Sequence, residues 1–388
     1  MGIPIIVSTN PMNPNAFALA GGPIQRGLFQ YDLAYQSDPA FVLVGAPTAD
    51  AYRLATLPTA AQSIWLDTAS MWLDRQAGLR DQIAGTAGVA RPALAQKSTD
   101  AQSMPGVWAQ AMGEWANRSE TQTYGVLNKS YVLQTGYQQN TGAFYAGADG
   151  VQQGVINAHD TLLFGVMGGY IDSTQMFTDS TTSAHYTGGS VGASASYLIG
   201  NFFVDTLFKG DFLNLNYASA TASAFGANQP ISHIQNLGFI TDAGYRFTIG
   251  GTAFAEPLAT LAYVSSHASN LEISGSQVSF GDNDILRGRL GLRSGIELPG
   301  GSDYQITATG TASYWARLSG GASATINSGA GAPLLTLNDQ QVTNYGDIGA
   351  GINIIQLKSG WSGFLKGDYQ FASSYGAGSI KAGVRFDF

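Results

Sequence analysis

The final twelve residues, AGSIKAGVRFDF, constrain the fold more than any other stretch of the chain. Ile380, Ala382, Val384, Phe386 and Phe388 fall on one parity, and Ser379, Lys381, Gly383, Arg385 and Asp387 on the other. A period of two places these sets on opposite faces of a β-strand. One face is wholly apolar, the other carries charge, and the strand ends on an aromatic residue. Such a strand suits lipid on one side and a wet interior on the other.

The same pattern recurs from residue 106 onward. In LRGRLGLRSGIEL, Leu286, Leu290, Leu292, Ile296 and Leu298 oppose Arg287, Arg289, Arg293 and Glu297. In WSGFLKGDYQF, Trp361, Leu365, Tyr369 and Phe371 oppose Ser362, Lys366, Asp368 and Gln370. In YQITATGTASYWARL, Tyr304, Ile306, Ala308, Tyr314 and Leu318 oppose Gln305, Thr307, Thr309, Thr311 and Arg317. Further runs begin near 107, 142, 160, 186, 202, 237, 253 and 345, giving about twelve, an even number as bacterial barrels require. A β-sandwich also alternates, but its strands average about five or six residues. These runs reach about ten or more, the length that crosses a membrane at a tilt. Aromatic residues gather at run ends on the apolar face, where an interfacial girdle sits. Lipid offers backbone amides no partner, so the sheet must close on itself.

Composition agrees. Only 11% of the residues are charged, and the chain has 50 glycines. No apolar run reaches about eighteen residues, so no transmembrane helix is signalled. A net charge of −8 argues against a nucleic-acid partner. Cysteine is absent, which an oxidising compartment favours only weakly.

The connections alternate in length. Segments 119–136, 172–185, 217–233, 268–282 and 319–342 are long and polar, while those near 200, 250, 300 and 358 are tight. Long outer loops and short periplasmic turns are the outer-membrane pattern, which leaves Phe388 near the periplasmic face.

The chain divides into three parts. Residues 1–47 read as short strands, as in GLFQYDLAYQ and FVLV. Residues 48–83 read as helical, interrupted at Pro58, with Thr59 and Gln62 as a possible capping box. Ala61, Trp65, Thr68, Trp72, Leu79 and Ile83 keep helical spacing. About 24 residues at 1.5 Å each give roughly 36 Å, enough to traverse a lumen of bilayer height. Asp67, Asp74, Asp81, Arg75 and Arg80 exclude lipid contact but not lumen contact. A small, polar linker follows over 84–105, and 106–388 is the barrel. MGIPIIVSTNPM lacks the features of a signal peptide, so a longer precursor is expected. The fold class is therefore all-β: a transmembrane antiparallel β-barrel of about twelve strands with an N-terminal helical segment in its lumen.

Several segments together resemble the autotransporter β-domain of type V secretion. They are AEPLATLAYVSSHASNLEISGSQVSFGDNDILRGRLGLRSGIEL, the opening strand GVWAQAMGEW, QQNTGAFYAGADG and the C-terminal VRFDF. GLFQYDLAYQSDPAFVLVG and WLDRQAGLRDQ are similar to the family's passenger end and pore segment. The resemblance implies a twelve-stranded barrel threaded by a helical segment, and export of an upstream passenger to the cell surface. It implies assembly in outer-membrane lipid by the barrel-insertion machinery, with periplasmic chaperones, and the aromatic C-terminus at Phe386 and Phe388 as the assembly signal. Only about 100 residues precede the barrel, so most of any passenger is missing. Some members cut themselves at an Asn pair, but 48–105 has no adjacent Asn residues, so no such cleavage is carried over.

Catalytic chemistry has little support. GGSVG at 188–192 matches a nucleophile pattern, but that motif needs a strand, turn and helix, and Ser190 sits inside a strand pattern. His159, His185, His233 and His267 are dispersed, without metal-ligand spacing. Asp282 and Asp284 start something like a calcium loop whose remainder is missing. No catalytic, cofactor or metal residue is expected.

The informative set is the charge of lumen parity: Asp205, Lys209, Asp211, Asp242, Arg246, Glu256, Arg287, Arg289, Arg293, Lys366, Asp368, Lys381 and Arg385. Glu256 and the arginines Arg287, Arg289 and Arg293 are the first candidates for holding the 48–105 segment in the pore. Two rival readings share the alternation: a porin-like diffusion channel and a surface adhesin. A porin has no need of a helix and linker before its first strand.

Overall fold

The computed structural model describes residues 2–36, 40–84, 105–156, 160–219, 231–281, 283–301, 303–329, 334–357 and 359–388. Most of the polar linker expected over 84–105, and with it His159 and Asp282, lies outside these residues.

The chain begins with β1 (Ile3–Val7), β2 (Ile24–Arg26), β3 (Phe29–Gln36) and β4 (Ala40–Pro47), which form one sheet in the order β1-β4-β3-β2. Ala34, Val42 and Val44 make its small core, with Val126 packed against them. Helix α1 (Ala49–Ala55) leads into α2 (Leu57–Ala84). Pro58 falls in the first turn of α2, where its missing N–H interrupts nothing. The expected capping box does not form. Thr59 and Gln62 lie within the helix, and both accept a hydrogen bond from Gln341 of the irregular segment 339–343 instead.

The barrel opens with β5 (Gly106–Arg118), followed by an outer hairpin of β6 (Thr121–Val126) and β7 (Lys129–Gln134). It continues through β8 (Tyr137–Gln153), β9 (Asp160–Phe177), β10 (Ser183–Ile199), β11 (Phe202–Ala218) and β12 (Ile231–Tyr245). Short β13 (Phe247–Ile249) precedes β14 (Ala253–Ala268). An outer hairpin of β15 (Leu271–Ile273) and β16 (Ser276–Phe280) leads to β17 (Asn283–Leu298) and β18 (Tyr304–Gly320). A second outer pair, β19 (Ser323–Asn327) and β20 (Leu335–Asn338), joins the first in one small sheet. The barrel ends with β21 (Asn344–Gln356), β22 (Trp361–Ala372) and β23 (Tyr375–Asp387).

Every neighbouring pair is antiparallel, and β23 closes the cylinder on β5 from Gly106↔Asp387 to Arg118↔Tyr375. The closed barrel has 12 spanning strands. Its shortest, β22, has 12 residues and its longest, β9, has 18. At about 3.4 Å per residue and a tilt near 40°, even the shortest covers roughly 30 Å, the thickness of the hydrocarbon. The segment 172–185, read from sequence as a loop, is mostly strand, because β9 continues to Phe177 and β10 begins at Ser183.

The parity read from the sequence divides the two faces. Leu290 is 72% exposed, while Arg293 on the same strand is buried. Trp361, Tyr369, Phe371, Tyr304, Tyr314 and Phe388 all stand outward. The outer surface of such a barrel is apolar because its solvent is hydrocarbon. Leu290→Lys is expected to destabilise the folded barrel by about 2–4 kcal/mol. Equilibrium unfolding in lipid bilayers measures this, and a loss below about 1 kcal/mol would contradict the orientation.

Candidate functional site: the helix in the lumen

At about 1.5 Å per residue, the 28 residues of α2 extend some 42 Å through the barrel. Trp65 and Trp72 are fully buried. Wall and helix approach closely at Gly238, where an added Cβ would lie 2.9 Å from the Trp65 ring and 2.2 Å from the Tyr263 carbonyl oxygen. A side chain there would displace the helix or the wall.

At the outer mouth, Arg53 pairs with Asp50 at 2.8 Å and donates to Ser180 at 2.8 Å. Asp50 also accepts from Ser219 and Thr182. Burial would raise the Asp50 carboxyl, but hydrogen bonds from Ser219, Arg53 and Thr182 outweigh it and hold the group below its ordinary value. Deeper in, Gln62 donates to the Asn283 carbonyl at 2.7 Å, and Asn236 to the Ala61 carbonyl at 2.9 Å. The Trp65 indole donates to the Lys209 carbonyl at 3.0 Å.

Asp74, Arg75, Arg80 and Asp81 of α2 are each paired with a charge of opposite sign on the wall. Lys366 and Lys381 take Asp74 at 2.5 and 3.0 Å, and both also bind Asp368. Arg75 pairs with Asp149, which also pairs with Arg385. Arg80 pairs with Asp205 and lies over the Phe203 ring. Asp81 is the densest point. Arg246 and Arg293 each reach it at 2.5 Å, and Asn353 donates to it at 2.8 Å. Glu256 binds both arginines, at 2.6 and 2.8 Å. Buried charges are stable only when paired and hydrogen-bonded. The wall therefore specifies where each helix charge must stop.

Little space remains. The two cavities flanking α2 have volumes near 40 and 50 Å³. Each has room for about one or two waters. The helix occupies the volume that a diffusion pore leaves open.

The four foremost candidates have different partners. Arg293 touches the helix at Asp81, and Glu256 reaches it through Arg293 and Arg246. Arg289 instead joins Asp242 and Thr260 within the wall, under the Trp315 ring. Arg287 donates to the Val342 carbonyl and faces the Tyr345 ring. The contacts of Asp81, Asp74 and Arg80 with particular wall residues were not specified by sequence. One signal was available: Asp67, Asp74 and Asp81 recur every seven residues, which keeps them on one helix face.

Other motifs have ordinary surroundings. Ser190 donates to Asp211 at 2.6 Å inside the lumen. His185 pairs with Asp172 and His233 with Asn214, both exposed. Among the described residues no cluster could hold a metal ion.

An antiparallel barrel with an apolar belt and a polar lumen filled by its own N-terminal helix has the architecture of an outer-membrane protein. The family model described as the autotransporter beta-domain matches residues 107–368. The chain belongs to that family. Solved structures share the fold at low identity. The beta domain of the Bordetella autotransporter BrkA has a TM-score of 0.56 at 18% identity, covering 73% of this chain and 98% of that one. The transport unit of AIDA-I from Escherichia coli has a TM-score of 0.57 at 13% identity, covering 80% and 98%. The translocator domain of NalP from Neisseria meningitidis has a TM-score of 0.52 at 14% identity, covering 83% and 98%. No curated protein sequence matches the chain. It is an outer-membrane translocator domain, built on a transport and secretion fold.

Removing Asp81 leaves Arg246 and Arg293 with Glu256 alone. Asp81→Ala is expected to cost about 3–5 kcal/mol. Arg293→Ala should cost a similar amount, and the double variant clearly less than the sum. Heat-modifiable gel migration and thermal unfolding in detergent report this, and additive losses would contradict the shared network.

Proposed function

We propose that α2 is the trailing end of the exported passenger, retained as plug and tether once residues 1–47 lie outside. The Asp81 network with Arg246, Arg293 and Glu256 is its lock. The observation that carries this reading is the pairing of helix charges with wall charges along the length of α2. Arg287 and Arg289 act on the wall itself, shaping the lumen around the helix.

In this reading the barrel reaches the outer membrane with help from periplasmic chaperones and is inserted by the barrel-assembly machinery. Phe386 and Phe388 provide the signal. Phe386 packs on Trp361 with ring centroids 5.0 Å apart, and Phe388 is 69% exposed. Both rings thus belong to the final aromatic row that faces lipid.

Planar-bilayer conductance tests the plug. The intact chain is expected to be nearly silent, and the chain lacking residues 1–105 to conduct in large, stable steps. Equal conductance would overturn the reading. Phe386→Ala with Phe388→Ala is expected to reduce the folded, membrane-inserted fraction in cells while leaving refolding in detergent intact. Unchanged insertion in cells would remove the assembly role.

A further inference from the structure

The lumen helix repeats itself. Ser63, Trp65, Leu66 and Asp67 recur seven residues later as Ser70, Trp72, Leu73 and Asp74. Between serine and tryptophan, Ile64 corresponds to Met71, so the segments 63–67 and 70–74 match at every position but one, where both residues are apolar. An amphipathic helix needs apolar residues at such a spacing, but not the same serine and the same aspartate each time. Seven residues are two turns less about 20°, and they advance the helix about 10.5 Å along its axis. A helix displaced by that distance presents the same side chains to the same wall.

The wall has a site that reads them. Lys381 of β23 donates to the Ser70 hydroxyl at 2.9 Å and to Asp74 at 3.0 Å. Lys366 of β22 reaches Asp74 at 2.5 Å, and Asp368 holds both lysines, at 2.9 and 3.0 Å. Trp72 and Leu73 are buried. Each of these helix residues has its counterpart in 63–67. A second match lies one heptad further on, where Asp81 meets Arg246 and Arg293. If α2 stood one heptad lower, toward the periplasm, Asp67 would meet Lys366 and Lys381, and Asp74 would meet Arg246 and Arg293. Both cation pairs would keep a carboxylate, and Trp65 would take the place of Trp72. The lowered register lacks the pairs of Arg75 and Arg80, because Thr68 and Leu73 would face Asp149 and Asp205. Asp149 would keep Arg385, but Asp205 would lose Arg80. The lower position is therefore a halt, and the observed one is the end point.

We propose that Lys366, Lys381 and Asp368 form a binding site for the Ser-x-Trp-Leu-Asp segment of the exported chain, and that the site is used twice. It takes 63–67 first, halting α2 one heptad short of its final position. It then takes 70–74, as Arg75 and Arg80 reach their partners. The last step of export is a single move of about 10.5 Å. This rests on the reading above that α2 trails an exported passenger.

Disulfide trapping during export tests it, with the full chain expressed behind an export signal and followed by pulse-chase in cells. Met71 precedes Gly78 by seven residues, so in the halted register it stands at Asn353, as Gly78 does in the final one. Met71→Cys with Asn353→Cys is expected to cross-link early after the pulse, and Gly78→Cys with Asn353→Cys later. Adding Asp67→Ala should lower the 71–353 yield at least about tenfold and change the 78–353 yield less than about twofold, because Asp67 takes the lysines in the halted register and Asp74 in the final one. If the alanine variant lacks heat-modifiable migration, Asp67→Asn makes the same comparison. With 78–353 forming, the absence of a 71–353 cross-link at every time point, or an equal 71–353 yield in the Asp67 variant, overturns the proposal. Failure of both pairs overturns the seated helix, and the halted register with it.

Discussion

Hydrocarbon cannot hydrogen-bond to a peptide group, and the architecture follows from that constraint. A sheet crossing the membrane must satisfy its edges, so β23 returns to β5 and the edges disappear. Closure in turn creates an interior. An interior bounded by twelve strands is wide enough for a helix, and its wall cannot be apolar on both faces without losing the amphipathic pattern that orients it. The polar residues therefore gather inside, where they either face water or a partner.

Here the partner is the chain's own helix. Burying charge in a filled lumen costs several kcal/mol per ion unless each is compensated. The structure meets that cost by complementarity. Asp74 and Asp81 of α2 face lysines and arginines of β17, β22, β23 and the β12–β13 corner, and its arginines face Asp149 and Asp205. Apolar packing of Trp65 and Trp72 supplies attraction without direction. The ion pairs supply register, because a helix displaced by one turn would leave several charges buried and unpaired.

The barrel was legible because a period of two is written directly in the sequence. Leu290 against Arg293, and Ile380 against Lys381, state which face meets lipid. Strand ends were less legible. Nothing in the polar stretch 172–185 distinguishes a loop from strands that rise above the membrane. The small outer sheet of β15, β16, β19 and β20 was also invisible, since its strands have only three to five residues, too few for a period of two to stand out from a loop. At the site, lumen parity identified Arg293 and Glu256, which join the helix network, but equally Arg287 and Arg289, which bond within the wall. Parity tells which way a side chain points, not what stands opposite. That information lies in the depth and rotation of α2, which tertiary packing sets. Trp315 shows the same limit: it faces inward against Tyr345 on a strand whose other aromatic residues face lipid.

The central claim is the position of α2 against the wall, and the absence of cysteine makes a direct measurement possible. A Cβ on Gly78 would lie 3.7 Å from the Asn353 side chain, whereas the adjacent Ile354 faces lipid at 44% exposure. Paired cysteines at 78 and 353 in the membrane-assembled protein should form an intramolecular disulfide under mild oxidation, and cysteines at 78 and 354 should not. Equal cross-linking of both pairs, or none at 353, would contradict a helix seated in the lumen at this register.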